Sequence, residues 1–329
     1  QSGIYSTMAR DPSKRKKFVE SAWALANRFG FDGIDLDWEY PSHADRANFV
    51  AIIKELKDAS GGKLVTAAVS AGKEKIDAGY DVQGFEPHID LLCVMAYDFH
   101  GGWEQVVGHH AAYSEAISAM DHWASKGIPK RKLIMGIGAY GRGWVADSCQ
   151  KGTPSKGLAP AQPFTREAGI ASSFELDALH GKSIDTPEGP YLEVSINGQK
   201  TCYGYDDRNA ILKKMDYIKK GGFGGAFTWT IDFDSDGFPA HKAIKDGLLG
   251  ARPEPNPPTS RPDRLNTTPK NKEPLPTPGP EPSGSCTTGE MRANPDKTKY
   301  YQCLYGEWIV RDCPPGTVFD PATNNFVWP

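Results

Sequence analysis

No stretch of this sequence approaches the 18 or so consecutive apolar residues that a membrane-spanning helix needs. An excess of one charge is missing too. Lysine and arginine number 38 against 41 acids, a formal net charge of −3, which argues against nucleic acid and anionic membrane as partners. The chain opens on the polar Gln1-Ser2-Gly3, so no signal peptide is expected within it. His100, His109 and His110 form no metal-ligand spacing with nearby cysteines or acids, so no metal and no cofactor is expected. Cysteine is sparse, with six in all, three of them from Cys286 onward. Cys149 and Cys202 flank an irregular stretch and could pair, which the sequence leaves open.

What is present centres on Asp32-Gly33-Ile34-Asp35-Leu36-Asp37-Trp38-Glu39-Tyr40, running into Pro41. Successive side chains of a β-strand point to opposite faces, so Asp35, Asp37 and Glu39 share one face and Ile34, Leu36 and Trp38 the other. Acids spaced about 7 Å apart along a strand repel when all are ionised, so at least one should hold a proton at neutral pH. A protonated carboxylic acid beside an ionised one is what glycoside hydrolysis requires. A cation-binding loop would be short, polar and turned by glycine. Ile34, Leu36 and Trp38 argue instead for a buried strand.

Around this stretch, apolar runs alternate with amphipathic segments. Asp11-Pro12 caps and opens a helix whose expected apolar face is Phe18, Ala22, Leu25 and Phe29, ending at Gly30. Strands are expected near 31–39, 63–70, 89–97, 132–137 and 224–229, and further helices over 44–59, 113–125 and 206–219. This βα alternation means a parallel sheet covered on both sides. Glu39, Tyr97, Tyr140 and Trp229 fall at strand C-terminal ends, where a (β/α)8 barrel keeps its active site.

The acidic stretch resembles, at every defined position, the signature of family 18 glycoside hydrolases, the chitinase family. That resemblance implies an α/β fold, a (β/α)8 TIM barrel with the signature on its fourth strand. Only five strands are legible, and the motif expected at the end of the third is absent. The chain is therefore expected to lack the first three strands, to have open sheet edges, and to be inactive as residues 1–329 alone. The stretch from about 145 to 205, with Thr165-Arg166-Glu167-Ala168-Gly169 and Tyr205-Asp206-Asp207, resembles the small α+β insertion of the family.

By the same resemblance cleavage is substrate-assisted, with the sugar's 2-acetamido oxygen as nucleophile. Glu39 is then the general acid and later the base, Asp37 orients the acetamide, and Asp35 shares a proton with Asp37. Tyr97 would donate its hydroxyl to the acetamide oxygen. Trp229 would be the stacking floor, with Met95, Asp98, Tyr140, Arg142, Trp103 and Tyr40 as further substrate-binding residues. Asp32 has the opposite parity and reads as structural. Cys93 reads as barrel filling, and for Met95 and Trp103 packing roles remain open.

From 251 to 285 the composition shifts to eleven prolines among polar residues, which reads as an extended linker. The tail from Cys286 resembles a peritrophin-type chitin-binding domain, incomplete in its cysteines, with Trp328, Trp308 and Tyr305 as its chitin-contacting residues. The resemblance implies a Cys286–Cys303 bridge and leaves Cys313 without its usual partner. Asn266-Thr267-Thr268 is a glycosylation sequon, which with the tail cysteines points to a secreted, extracellular protein. The expectation is thus a monomeric chitinase acting on chitin and chitooligosaccharides. The alternative is a chitinase-like lectin that binds without cutting.

Overall fold

The computed structural model describes residues 2–250, 291–304, 307–313, 318–321 and 325–327. They belong to two compact units, Gln1–Glu254 and Pro255–Pro329.

The first unit opens on a helix that sequence reasoning did not anticipate, α1 (Ser2–Arg10), before α2 (Pro12–Arg28). α1 is held by tertiary contacts rather than by capping. Tyr5 stacks on Trp38 at 5.6 Å, the Ser2 hydroxyl donates to the Tyr40 carbonyl at 2.7 Å, and Ser6 donates to Asp45 at 2.9 Å. Asp11 caps α2 as expected, accepting from the Ser13 and Lys14 amides. The apolar face of α2 is not the expected one. Val19, Trp23 and Ala26 are buried, one position round from Phe18, Ala22, Leu25 and Phe29, and Leu25 and Phe29 are exposed. The anchor is Trp23, whose indole N–H donates to the Leu56 carbonyl at 3.0 Å and rotates that face inward.

Then follow β1 (Gly33–Asp37), α3 (Arg46–Asp58), β2 (Leu64–Ser70), α4 (Lys73–Gly79), α5 (Val82–Phe85), β3 (Leu91–Met95), α6 (Tyr113–Ser125) and β4 (Leu133–Gly138). An excursion carries β5 (Tyr140–Ala146), β6 (Ser155–Leu158), β7 (Ile170–Ser172), α7 (Ser173–Ala178), β8 (Lys182–Ile184), β9 (Tyr191–Ile196) and β10 (Gln199–Tyr205). The chain returns through α8 (Arg208–Gly221) to β11 (Gly225–Trp229) and α9 (Pro239–Leu249).

All five strands read from the sequence form one parallel sheet in the order β1-β2-β3-β4-β11. Among the described residues β1 and β11 each have one neighbour in it, so the sheet is open. Parallel strands in register bring their C-terminal ends to one edge: Asp37 lies opposite Ala68, Ser70 opposite Met95, and Trp229 opposite Gly138. Helix α3 covers the sheet with Phe49, Ile52, Ile53 and Leu56, none of them accessible to solvent. Burial of each such side chain contributes about 1.5–3 kcal/mol. Beside them Phe49, Tyr80, Phe85 and Trp123 pack edge to face, and the Trp123 indole N–H donates to the Ser70 carbonyl at 2.9 Å.

The excursion is an antiparallel sheet ordered β6-β5-β10-β9-β8, with β7 also paired to β5. It begins at Tyr140, earlier than the composition suggested, because Tyr140–Ala146 pair across to β10. The Cys149–Cys202 disulfide that the sequence left open is formed, with a sequence separation of 53. Closing a loop of that length is worth about 4 kcal/mol in a chain-entropy estimate. Replacing both cysteines by alanine is therefore expected to destabilise the first unit by several kcal/mol, read as the shift in its urea unfolding midpoint. An unchanged midpoint would contradict this.

In the second unit β12 (Met291–Ala293), β13 (Lys299–Leu304) and β14 (Glu307–Asp312) form an antiparallel sheet, and β15 (Val318–Asp320) pairs with β16 (Asn325–Val327). Trp308 is half-buried with the Arg292 guanidinium 4.5 Å from its ring. Cys313 is a free thiol. Cys286, Tyr305, Trp328, Asn266 and the stretch 251–285 lie outside the described residues.

Candidate active site

The strand parity read from the sequence is the parity of β1. Leu36 and Trp38 are buried while Asp35, Asp37 and Glu39 all point the other way, exposed on the open face of the sheet. Asp35 accepts hydrogen bonds from the Thr66 hydroxyl and, at 3.9 Å, from the Cys93 thiol. The Asp37 carboxyl is held above the ordinary aspartate range, first by desolvation and then by the neighbouring charges of Glu39 and Asp35. Burial and like charge both disfavour the ionised form of a carboxyl. Burial, with the Asp35 charge, pushes the Cys93 thiol up to about 12, so it remains a thiol and a weak donor.

These acids form one wall of a cleft of ≈ 480 Å³ that also takes in Tyr40, Cys93, Met95, Tyr97, Asp98, Tyr140, Phe227 and Trp229. The residues meet there because they occupy the middle and C-terminal end of β1, β3 and β11 or follow directly on β1, β3 and β4. Burial and surrounding acids raise the hydroxyl pKa of both Tyr40 and Tyr97, so both stay protonated donors. The Tyr97 ring has room because position 136 is glycine: a Cβ there would stand 2.7 Å from Tyr97 Cε1 and 2.8 Å from Phe227 Cζ. The Glu39–Tyr40 and Trp229–Thr230 peptide bonds are cis.

Asp98 organises the adjoining wall. Its backbone is left-handed, at φ 59°, which few residues other than glycine adopt. Its carboxylate accepts from Arg142 Nε at 2.6 Å and Arg142 Nη2 at 2.7 Å, and from the Tyr140 hydroxyl at 2.7 Å. Although burial acts the other way, Arg142 and His110 hold Asp98 well below the usual carboxylate range. The Arg142 guanidinium also lies 5.1 Å from the Trp103 ring, which tethers that largely exposed indole beside the groove. A second hollow of ≈ 180 Å³ continues the groove past Trp229 between Tyr140, Arg142, Thr165, Glu167, Ile170 and Phe233. Trp229, 55 % exposed, therefore presents an open face to both cavities.

Ten of the eleven residues proposed from the sequence for catalysis and glycan binding in the first unit line these cavities, and the eleventh, Trp103, stands beside them over Arg142. Sequence reasoning missed Phe227, which shares the parity of Trp229 and so carried a readable signal. It also missed Thr66, which bonds Asp35, and Phe233, which lines the second hollow. His109 and His110 are fully buried and bond to the main-chain carbonyls of Tyr205 and Tyr140. No group of acids, histidines and cysteines among the described residues could hold a metal ion.

The site is thus an open-faced acid column at the C-terminal edge of a parallel α/β sheet, beside an aromatic groove. The chain matches the model of glycosyl hydrolases family 18 over residues 1–234 and belongs to that family. Residues 285–329 match the chitin-binding Peritrophin-A domain. A probable endochitinase of Caenorhabditis elegans is 38 % identical over 260 residues, covering 70 % of this chain and 42 % of the relative. An endochitinase of Brugia malayi is 33 % identical, covering 81 % and 59 % respectively. The chain thus spans about half the length of these two nematode relatives. Among solved structures, an immunomodulatory active chitinase from Trichuris suis superposes with a TM-score of 0.66 at 33 % identity, over 75 % of this chain and 74 % of the other. Human YKL-39, described as a pseudo-chitinase with retained chitooligosaccharide binding, gives 0.67 at 29 % identity, over 74 % and 76 %.

Proposed function

We propose that the protein carrying this chain is a secreted, monomeric endo-acting chitinase that cleaves β-1,4 linkages between N-acetylglucosamine units with retention of configuration. The single observation that carries the reading is the shared face of Asp35, Asp37 and Glu39 at the edge of the aromatic cleft. Glu39 protonates the glycosidic oxygen. Asp37, poised to hold a proton or give it up to Asp35, takes the acetamide N–H and stabilises positive charge as the acetamide oxygen attacks the anomeric carbon. Tyr97 directs that oxygen with its hydroxyl, and Trp229 supports the sugar ring from below. Glu39 then draws a proton from water to release the product.

The tail module would hold the enzyme on insoluble chitin through Trp308, Trp328 and Tyr305, across a Pro-rich linker glycosylated at Asn266. A lectin without activity is the second reading, since human YKL-39 is a structural neighbour. The presence of both Glu39 and Asp37 favours the enzyme.

The test is proton NMR of the earliest products that the protein forms from a chitooligosaccharide. The β-anomer should form first, and the matching glucose oligomer, which has no acetamido group, should not be cut. Initial formation of the α-anomer, or cleavage of the glucose oligomer, would overturn the mechanism.

A further inference from the structure

Beside the cleft stands a cation that the chemistry above does not use. Lys75 Nζ lies 4.2 Å from the centre of the Tyr40 ring, and Tyr40, which follows Glu39, lines the cleft. The lysine is carried by α4, which is fixed in place. Ile76 is buried, and Gly79 packs so closely on the chain after Tyr40 that a Cβ there would stand 2.3 Å from the Pro41 carbonyl oxygen. Asp77 pairs with His122 of α6 and with Lys126 just after it. Lys75 itself is exposed, so nothing in the core depends on it, and the Tyr40 ring attracts its ammonium.

No carboxylate answers that charge. Arg142 is bonded through two nitrogens to Asp98, whereas Lys75 makes no ion pair among the described residues. Glu39 belongs to the same segment as Tyr40, and in the complex that reacts it holds a proton and is neutral. Trp229, on β11 at one edge of the sheet, supports the sugar that is attacked, and Tyr40 follows β1 at the other edge. The sugar that leaves, on the far side of Glu39, therefore lies toward Tyr40. With contacts of about 4 Å on either side of the ring, a group on that sugar comes within about 8 Å of Lys75 Nζ, inside one Debye length at physiological salt.

An N-acetylglucosamine unit is neutral, but its deacetylated form, glucosamine, carries an ammonium. We propose that Lys75 is a specificity-determining residue whose charge disfavours glucosamine at the Tyr40 end of the cleft, so that in partly deacetylated chitin the leaving sugar is acetylated; this rests on the function proposed above. Asp35 and Asp37 would draw an ammonium in, but they lie further back along β1 than Glu39 and Tyr40. At the Tyr40 end the lysine decides the sign. Two unit positive charges about 8 Å apart, at an effective dielectric constant of about 40, disfavour the pair by about fivefold.

The test is digestion of chitosan of known acetylation at about pH 5.5, where sugar amines are protonated. The residue at each new non-reducing end is the sugar that left, and mass spectrometry of the products reads whether it is acetylated. In the wild type those ends should be enriched in N-acetylglucosamine over the composition of the polymer. In Lys75→Met, which keeps the apolar stem and removes the charge, the enrichment should fall by about fivefold. Lys75→Arg, which keeps the charge, should retain it. Equal enrichment in the wild type and Lys75→Met would overturn the proposal, as would a loss in Lys75→Arg as large as in Lys75→Met. If no chain is cut at all, the proposed function fails, and binding still decides the role of Lys75. Calorimetry then compares the N-acetylglucosamine tetramer with the same tetramer carrying glucosamine at its reducing end. The ratio of the two affinities should change by about the same factor between the wild type and Lys75→Met, and an unchanged ratio would overturn the proposal.

Discussion

Glu39→Gln is expected to lower chitooligosaccharide turnover by about 10²–10⁴-fold while oligosaccharide binding in the groove survives. The amide fills the volume of the carboxyl and can still accept a hydrogen bond, but it has no proton to give to the leaving oxygen. Nothing else in the cleft replaces it. Asp35 and Asp37 share its face, yet each lies further back along β1, with Asp35 fixed by Thr66. The hydroxyls of Tyr40 and Tyr97 are held too basic to act as acids near neutrality. The groove walls that would hold the sugar, Trp229, Tyr140 and Arg142, belong to other strands and do not depend on Glu39. Rates measured with saturating substrate, set beside calorimetric binding of the uncut oligomer, check both halves. Near-wild-type turnover would remove Glu39 from the acid role. Equal losses in rate and affinity would make it a binding residue.

Much of this was legible because it depends on local periodicity. The two-residue period of a strand dictates that Asp35, Asp37 and Glu39 share a face whatever the surroundings, and they do. The same holds for Phe49, Ile52, Ile53 and Leu56, whose spacing of three and four fits only one helix face. Where two faces were nearly equivalent, periodicity failed. On α2 the sequence offers Phe18, Ala22, Leu25 and Phe29 or Val19, Trp23 and Ala26. A single long-range hydrogen bond from Trp23 to the Leu56 carbonyl decides between them. Helix α1 was missed for the same reason, since its support comes from Trp38, Tyr40 and Asp45, more than thirty residues away.

The groove shows the same division. Tyr97 and Trp229 lie at strand ends, so their place at the cleft follows from the βα pattern. That Arg142 and Tyr140 converge on Asp98 does not follow from it. Their meeting depends on β5 leaving the parallel sheet and pairing with β10, and on the left-handed turn at Asp98. Neither has a local signature, and the position of His110 behind them has none either.

That convergence makes Asp98→Asn the second large effect expected. In the wild type one carboxylate answers three donors from two residues of β5, and the Arg142 side chain is only 15 % exposed. An amide keeps one acceptor oxygen but turns an N–H₂ toward donors, and it leaves the guanidinium without its counter-charge. A hydrogen bond to a charged group is worth about 1.5–3 kcal/mol. Because Asp98 is itself 36 % exposed, solvent screening places the whole loss near one such bond, about 2 kcal/mol, rather than three. Tyr140 and Arg142 then lose their fixed positions, and with them goes the cation over Trp103. Affinity for chitooligosaccharides should fall by about tenfold or more, with a smaller change in kcat, since none of these groups transfers a proton. The pH dependence supplies an independent check. The folded protein holds Asp98 below its unfolded value, so its stabilisation is complete above about pH 4 and is lost as pH falls through the folded value. The stability gap between wild type and Asp98→Asn, measured by urea unfolding, should therefore be full at pH 7 and narrow as the pH drops below about 4. A gap that stays constant into acid would mean that the Asp98 charge contributes nothing to holding this wall.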